Sequence, residues 1–174
     1  MPTGESEIWR HAKPLLLPYE GMASQLYVLD IPIAELGTVI DIFANSVSDS
    51  AVIALDNYAD SPRPRTPDLR ALLLSHAGKS TWHQLRGLRA GRENLSMFLW
   101  LDSDSQAFDA ELVFWSDQLF PKPDDDSACL ETFREYLALA ESIRSYSPSS
   151  ECVLSASESG DPRADRDKSW TYWW

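Results

Sequence analysis

The sequence predicts an α+β fold, a single domain over residues 1–174 in which a mixed or antiparallel sheet of about five to six strands packs against helices. Three observations predict it. A chain of 174 residues that is 44% hydrophobic is long enough to bury roughly 70% of its unfolded surface in one core. "LSMFLWL" (95–101) and "FDAELVFW" (108–115) are strand-like runs about six residues apart, which is hairpin spacing and implies antiparallel pairing. "FPKPDDDSACLETFREYLALAESIRSYSP" sets Leu130, Phe133, Leu137 and Ala140 in one stripe, so a long packed helix is expected at about 127–146.

The elements follow in order. Residues 1–22 read as an irregular N-terminal arm, because Pro14, Pro18 and Gly21 punctuate them. "QLYVLDI" (25–31) reads as a strand stopped by Pro32. "IAELGTVIDIFANS" places Ile33, Leu36, Ile40 and Phe43 at spacings of three and four, the pattern of an amphipathic helix despite Gly37. "SAVIALD" is a second strand. "SPRPRTPD" (61–68) is a proline-rich connector whose Pro67 and Asp68 suit a helix start. "LRALLLSHAG" then fits a short helix closed by Gly78. Residues 80–89 read as one or two further helical turns, with Trp82 and Leu85 on one side and arginines on another.

Residues 95–101 are apolar at nearly every position, as in a strand buried on both faces. Residues 108–115 alternate, with Ala110, Leu112 and Phe114 on one face and Glu111, Val113 and Trp115 on the other. The long helix is capped by the acidic stretch at 124–127 and closed by Pro148. "ECVLSAS" and "WTYWW" read as strands, with the charged loop "ESGDPRADRDKS" between them.

Charge limits the partners. The net charge is −12, and residues 101–174 hold 16 acidic against 6 basic residues, while residues 1–100 hold 11 against 9. Such a protein repels nucleic acid over most of its surface and attracts basic partners. The local exception is residues 63–92, with seven basic residues against Asp68. A solvated or neutralised helix face is the simpler reading there than a nucleic-acid site, since few aromatics interleave. Cys129 and Cys152 are too few for a disulfide framework and read as buried thiols of a reducing compartment. The start of the chain lacks a signal peptide's basic, then apolar pattern, and no run approaches eighteen apolar residues, so a cytoplasmic protein without a membrane segment is expected.

Five groups of residues could carry chemistry. Asp102 and Asp104 follow an apolar strand at the spacing of nucleophile and acid in haloacid-dehalogenase-like phosphatases. Only 72 residues follow Asp102, however, and they lack that family's later strand-borne motifs. Asp and Ser are also ordinary turn residues. "HAGKST" (76–81) imitates the end of a phosphate-binding loop, but Leu73 stands where the first glycine belongs. His11, His76 and His83 have no Cys or carboxylate at metal spacing, so no metal or other cofactor is expected. Cys129 in the first turn of the long helix would have its thiol pKa lowered there, although a buried hydrophobe is the plainer reading. Finally, Asp124, Asp125, Asp126, Asp161, Asp165 and Asp167, with Trp170, Tyr172, Trp173 and Trp174 nearby, could form a protein-binding face. Carboxylates steer a basic partner, and tryptophans anchor interfaces. The partner-binding residues expected are these six aspartates with Trp170 and Trp173.

"FDAELVFWSDQLFP", "FREYLALAESIRS" and "SECVLSASESGDPRADRDKSWTYWW" resemble the small α+β immunity proteins of bacterial polymorphic-toxin and type VI secretion systems, in particular those paired with restriction-endonuclease-fold nuclease toxins. The resemblance covers about residues 98–174 and rests on spaced tryptophans and polar turns rather than on a catalytic signature. It implies an antitoxin that binds a cognate basic, nuclease-like toxin domain and masks its active or substrate-binding surface. No functional residue is carried over from it. The charge agrees in kind, since an acidic inhibitor can occupy a surface built for phosphate. Two alternatives stay open: a magnesium-dependent hydrolase using Asp102 and Asp104, and an acidic adaptor. A homodimer is compatible with the sequence.

Overall fold

A computed structural model describes residues 4–17, 23–47, 52–55, 81–89, 93–101, 106–115, 119–120, 122–156 and 161–174 of the chain. The connector at 61–68, the helix expected at 69–78, the "HAGKS" stretch and Asp102 and Asp104 lie outside them.

The described residues form α1 (Glu5–Leu16), β1 (Ala23–Pro32), a 3-10 turn (Ile33–Glu35) leading into α2 (Leu36–Ser46), β2 (Val52–Leu55), β3 (Thr81–Arg89), β4 (Glu93–Leu101), β5 (Ala107–Trp115), α3 (Asp126–Arg144), β6 (Cys152–Ser155) and β7 (Thr171–Trp173). The expected α+β class holds. Among the described residues the sheet has seven strands, against the five to six expected, in the order β2-β3-β4-β5-β1-β6-β7. Every pairing is antiparallel. β4 and β5 form the expected hairpin pair near the centre.

The three helices among the described residues lie on one face of the sheet. Leu26, Val28 and Ile31 of β1, Met97 and Leu99 of β4, Leu112 and Phe114 of β5 and Leu154 of β6 point toward them. Phe133, Tyr136, Leu137 and Ile143 of α3 meet these residues, with Leu36, Ile40 and Phe43 of α2 alongside. α3 starts as its sequence requires: Asp125 caps it by accepting the Ala128 N–H at 3.1 Å.

Three expectations need correction. Residues 5–16 are helical, not an irregular arm. Ile8, Trp9, Ala12, Leu15 and Leu16 form one buried stripe, and this stripe outweighs Pro14 in the last turn, which deprives the helix of one i→i−4 hydrogen bond. Trp9 packs on Phe133 of α3 with ring centroids 5.3 Å apart. Residues 81–89 are a strand, not helical turns. Leu85 and Gly87 point into the core, exposed Arg86 points out, and both neighbouring strands complete the backbone hydrogen bonds. Gly87 is needed there, since a Cβ would lie 2.6 Å from the Val47 Cβ. β4 is not buried on both faces. Leu95, Met97, Leu99 and Leu101 are buried, whereas Phe98 is half-buried and Trp100 is 41% exposed on the opposite face.

Candidate functional site

The face of the sheet away from the helices is where the unusual chemistry collects. Strand pairing aligns one transverse row across it: Gln84, Phe98, Glu111, Tyr27, Val153 and Trp173, each opposite the next on the neighbouring strand. Strand alternation alone puts them on one face. At the β1 end the row is dry, since Tyr27, Leu29 and Val153 are buried and Trp173 packs on them. At the β4–β5 end it opens to solvent. Trp100 stacks beside Phe98 with centroids 6.1 Å apart, and Trp115, further along β5, is 46% exposed.

Glu111 is the carboxylate of this row, and it is only 4% exposed. It accepts a 2.6 Å hydrogen bond from the Trp100 indole N–H and another from the Tyr27 hydroxyl. Burial pushes its pKa up, and the two hydrogen bonds pull partly the other way. Burial and the neighbouring Glu111 carboxylate likewise push the Tyr27 hydroxyl above its ordinary range.

The segment leading into β7 is clamped over the β1 end of this face. β1 carries a bulge: Leu29 and Asp30 together oppose Asp109, and Asp30 has φ 58°, a left-handed conformation that Asp tolerates better than most residues. The Asp30 N–H donates to Asp109 Oδ1 at 2.9 Å. Arg163 grips Asp109 through both guanidinium nitrogens, at 2.6 and 2.9 Å, and reaches Asp30 at 2.9 Å. Asp161 accepts the Arg163 backbone N–H at 3.0 Å. Arg166 forks onto Glu151 at 3.1 and 2.6 Å and lies 4.5 Å over the Trp173 ring. Asp109 also stands opposite Trp100 across β4 and β5, so the clamped turn and exposed Trp100 adjoin.

The residues expected to bind a partner divide between two places. Asp161, Asp165 and Asp167 sit in the turn before β7, and Trp173 lies on the sheet face beneath it. Trp170 packs instead against the core on the helix side. Asp124, Asp125 and Asp126 are at the start of α3, in the helix layer. Asp126 bonds Lys13 Nζ at 2.9 Å and the Trp9 indole at 3.1 Å, which holds its carboxyl below the ordinary range. Sequence reading missed Trp100, Trp115, Glu111 and the Arg163 clamp as a group. The alternation of β4 was the signal available for Trp100. The clamp needs residues 30, 109 and 163 to meet, which no local pattern announces.

The thiols behave as structural groups. Cys129 is buried, with its Sγ 3.3 Å from the Lys122 carbonyl oxygen. Burial and the carboxylates of Asp125 and Asp126 raise its pKa, which reverses the expectation of a thiol activated by the helix end. Cys152 is pushed up to about 12 by burial, with the Glu141 charge adding to it. Among the described residues, no group of three or more His, Cys, Asp or Glu could hold a metal ion, and no helix is long and apolar enough to cross a membrane. No protein-family model matches the chain, and no curated protein and no solved structure gives a significant match.

Proposed function

We propose that the chain is an immunity protein that binds and neutralises a cognate secreted bacterial toxin, of nuclease type and basic surface, by masking its active or substrate-binding surface in the cytoplasm. The observation that carries this reading is the open end of the sheet face. Half-exposed Trp100 stands there opposite Asp109, which adjoins Asp30, and Arg163 clamps the turn carrying Asp161 onto both. Large exposed aromatics are the side chains that most often anchor interfaces, and surrounding carboxylates speed encounter with a basic partner. The −12 net charge acts in the same direction at longer range.

Asp161, Asp165, Asp167 and Trp173 belong to this binding face. Asp124, Asp125 and Asp126, in the helix layer, contribute long-range attraction. Trp170, packed against the core on the helix side, stays outside this face. Co-expression with the toxin domain encoded next to this chain tests the reading. Cells are expected to survive, and the two proteins to co-purify. Death of the cells with no complex formed overturns it.

A further inference from the structure

We infer that residues 161–169 form a flap, latched over the outer face of the sheet by Arg163 and Arg166, that opens on its own while the rest of the molecule stays folded. The flap is built from its own bonds. The Asp165 N–H donates to the Pro162 carbonyl at 3.2 Å, and the Lys168 N–H to the Asp165 carbonyl at 2.9 Å. The Thr171 hydroxyl closes the turn by donating to the Asp165 carbonyl at 2.9 Å. The backbone–backbone bonds described for residues 161–169 all run within residues 162–171, so none of them ties the flap to a neighbouring strand. The ties described to the sheet are side chains: the Arg163 fork on Asp109 with its contact to Asp30, and the Arg166 fork on Glu151.

The strand that follows is held differently. β7 pairs with β6, and Trp170, Tyr172 and Trp174 pack against the core on the helix side. Tyr172 stacks on His11 with ring centroids 4.5 Å apart, and the Trp174 indole N–H donates to Glu141 at 2.9 Å. β7 therefore stays in place when the flap lifts, and the downstream hinge falls at residues 169–171. The latches are the weak attachment. The side chains of Arg163 and Arg166 are 43% and 56% exposed, so water and salt screen both ion pairs. Segments held in this way open at a small fraction of the global unfolding cost.

Leu29 marks the floor. It precedes Asp30, and its N–H donates to the Glu151 carbonyl at 2.9 Å, so it lies between the carboxylates of the two latches. It is 1% exposed and packs with Tyr27 and Val153 on the outer face. The Asp161 charge acts on the Tyr27 hydroxyl, which places the start of the flap over the same cluster. Opening exchanges one surface for another. Closed, the two arginines neutralise Asp30, Asp109 and Glu151. Open, these carboxylates are bared together with apolar Leu29.

The test is thiol labelling of the full chain carrying Leu29→Cys, with iodoacetamide at pH 8 and peptide-by-peptide mass spectrometry. Buried Cys129 and Cys152 are the internal references. The introduced thiol is expected to label faster than either, and about twofold faster in 500 than in 50 mM sodium chloride, as screening loosens the latches. Arg163→Gln and Arg166→Gln are each expected to speed it about threefold, and together about tenfold, since the two latches are separate exposed pairs. Arg10→Gln, which removes the exposed ion pair with Glu7 on α1, is expected to leave it unchanged. Should Leu29→Cys fail to fold, Val153→Cys in a Cys152→Ala background takes its place, with Cys129 as the reference.

Three results overturn the inference. The first is an introduced thiol that labels no faster than the buried references. The second is a set of arginine variants that speeds every thiol alike, which makes the opening global unfolding. The third is Arg10→Gln acting as strongly as Arg163→Gln. Opening is a property of the chain alone, so these results and the co-expression result are independent.

Discussion

Glu111 is a carboxylate placed where a charge is poorly solvated, 4% exposed between Trp100 and Tyr27. Its folded pKa lies above the ordinary value near 4.5, so the native state holds the proton more tightly than the unfolded chain. Its favourable contribution is therefore complete below about pH 4.5 and is lost as pH rises through the folded value. Glu111→Gln keeps an acceptor for the indole and removes the charge. Urea unfolding is expected to show the variant gaining on the parent between pH 4 and pH 8. A difference that is constant or falls over that range contradicts this account. At Arg163 the cation is forked onto Asp109 and also touches Asp30. Half-exposed pairs are screened, so Arg163→Ala is expected to cost only roughly 1 kcal/mol globally while deprotecting the turn before β7 to hydrogen exchange. Arg163→Lys should recover little, because an ammonium lacks the fork. Both thiols should resist Ellman's reagent at pH 8 in the native protein, since burial raises both pKa values. One rapidly reacting equivalent would refute that.

The elements differ in how readable they were, for physical reasons. α3, the β4–β5 pair and β6 were legible because local periodicity and burial coincide in them. α1 was hidden by Pro14, although its stripe of Ile8, Trp9, Ala12, Leu15 and Leu16 was present. β3 was hidden because its inward positions include Gly87, which contributes no hydrophobic signal. That glycine has a reason visible only in three dimensions: Val47, after α2, fills the space its side chain would occupy, 2.6 Å from the position of a Cβ. Gly87→Ala is expected to destabilise the protein by about 1–3 kcal/mol through overpacking, and the added substitution Val47→Ala to recover part of it. Denaturation midpoints of the single and double variants measure this. Additive losses would show that the two sites are independent. Phe133→Ala, in the centre of α3 against Trp9, is expected to cost about 3–5 kcal/mol.

At the scale of the molecule, the sheet separates two surfaces that the sequence runs together. The acidic start of α3 belongs to the helix layer, held by Lys13 and Trp9, while the acidic turn before β7 belongs to the opposite face. Composition made the charge legible, and turn chemistry made the aspartates exposed. Their grouping depended on the seven-strand order, which brings residues 30, 109 and 163 together from distant parts of the chain. The proposed partner face consequently moves from the six aspartates with Trp170 and Trp173 to the outer sheet face around Trp100 and the turn before β7. The most direct measurement of the central claim is the binding of the purified chain to the toxin domain encoded beside it, followed at about 50 and 200 mM salt for the parent and Trp100→Leu. The account predicts a tight complex whose association rate falls with salt and whose dissociation quickens in the variant. Failure to form any complex at either salt concentration would contradict it.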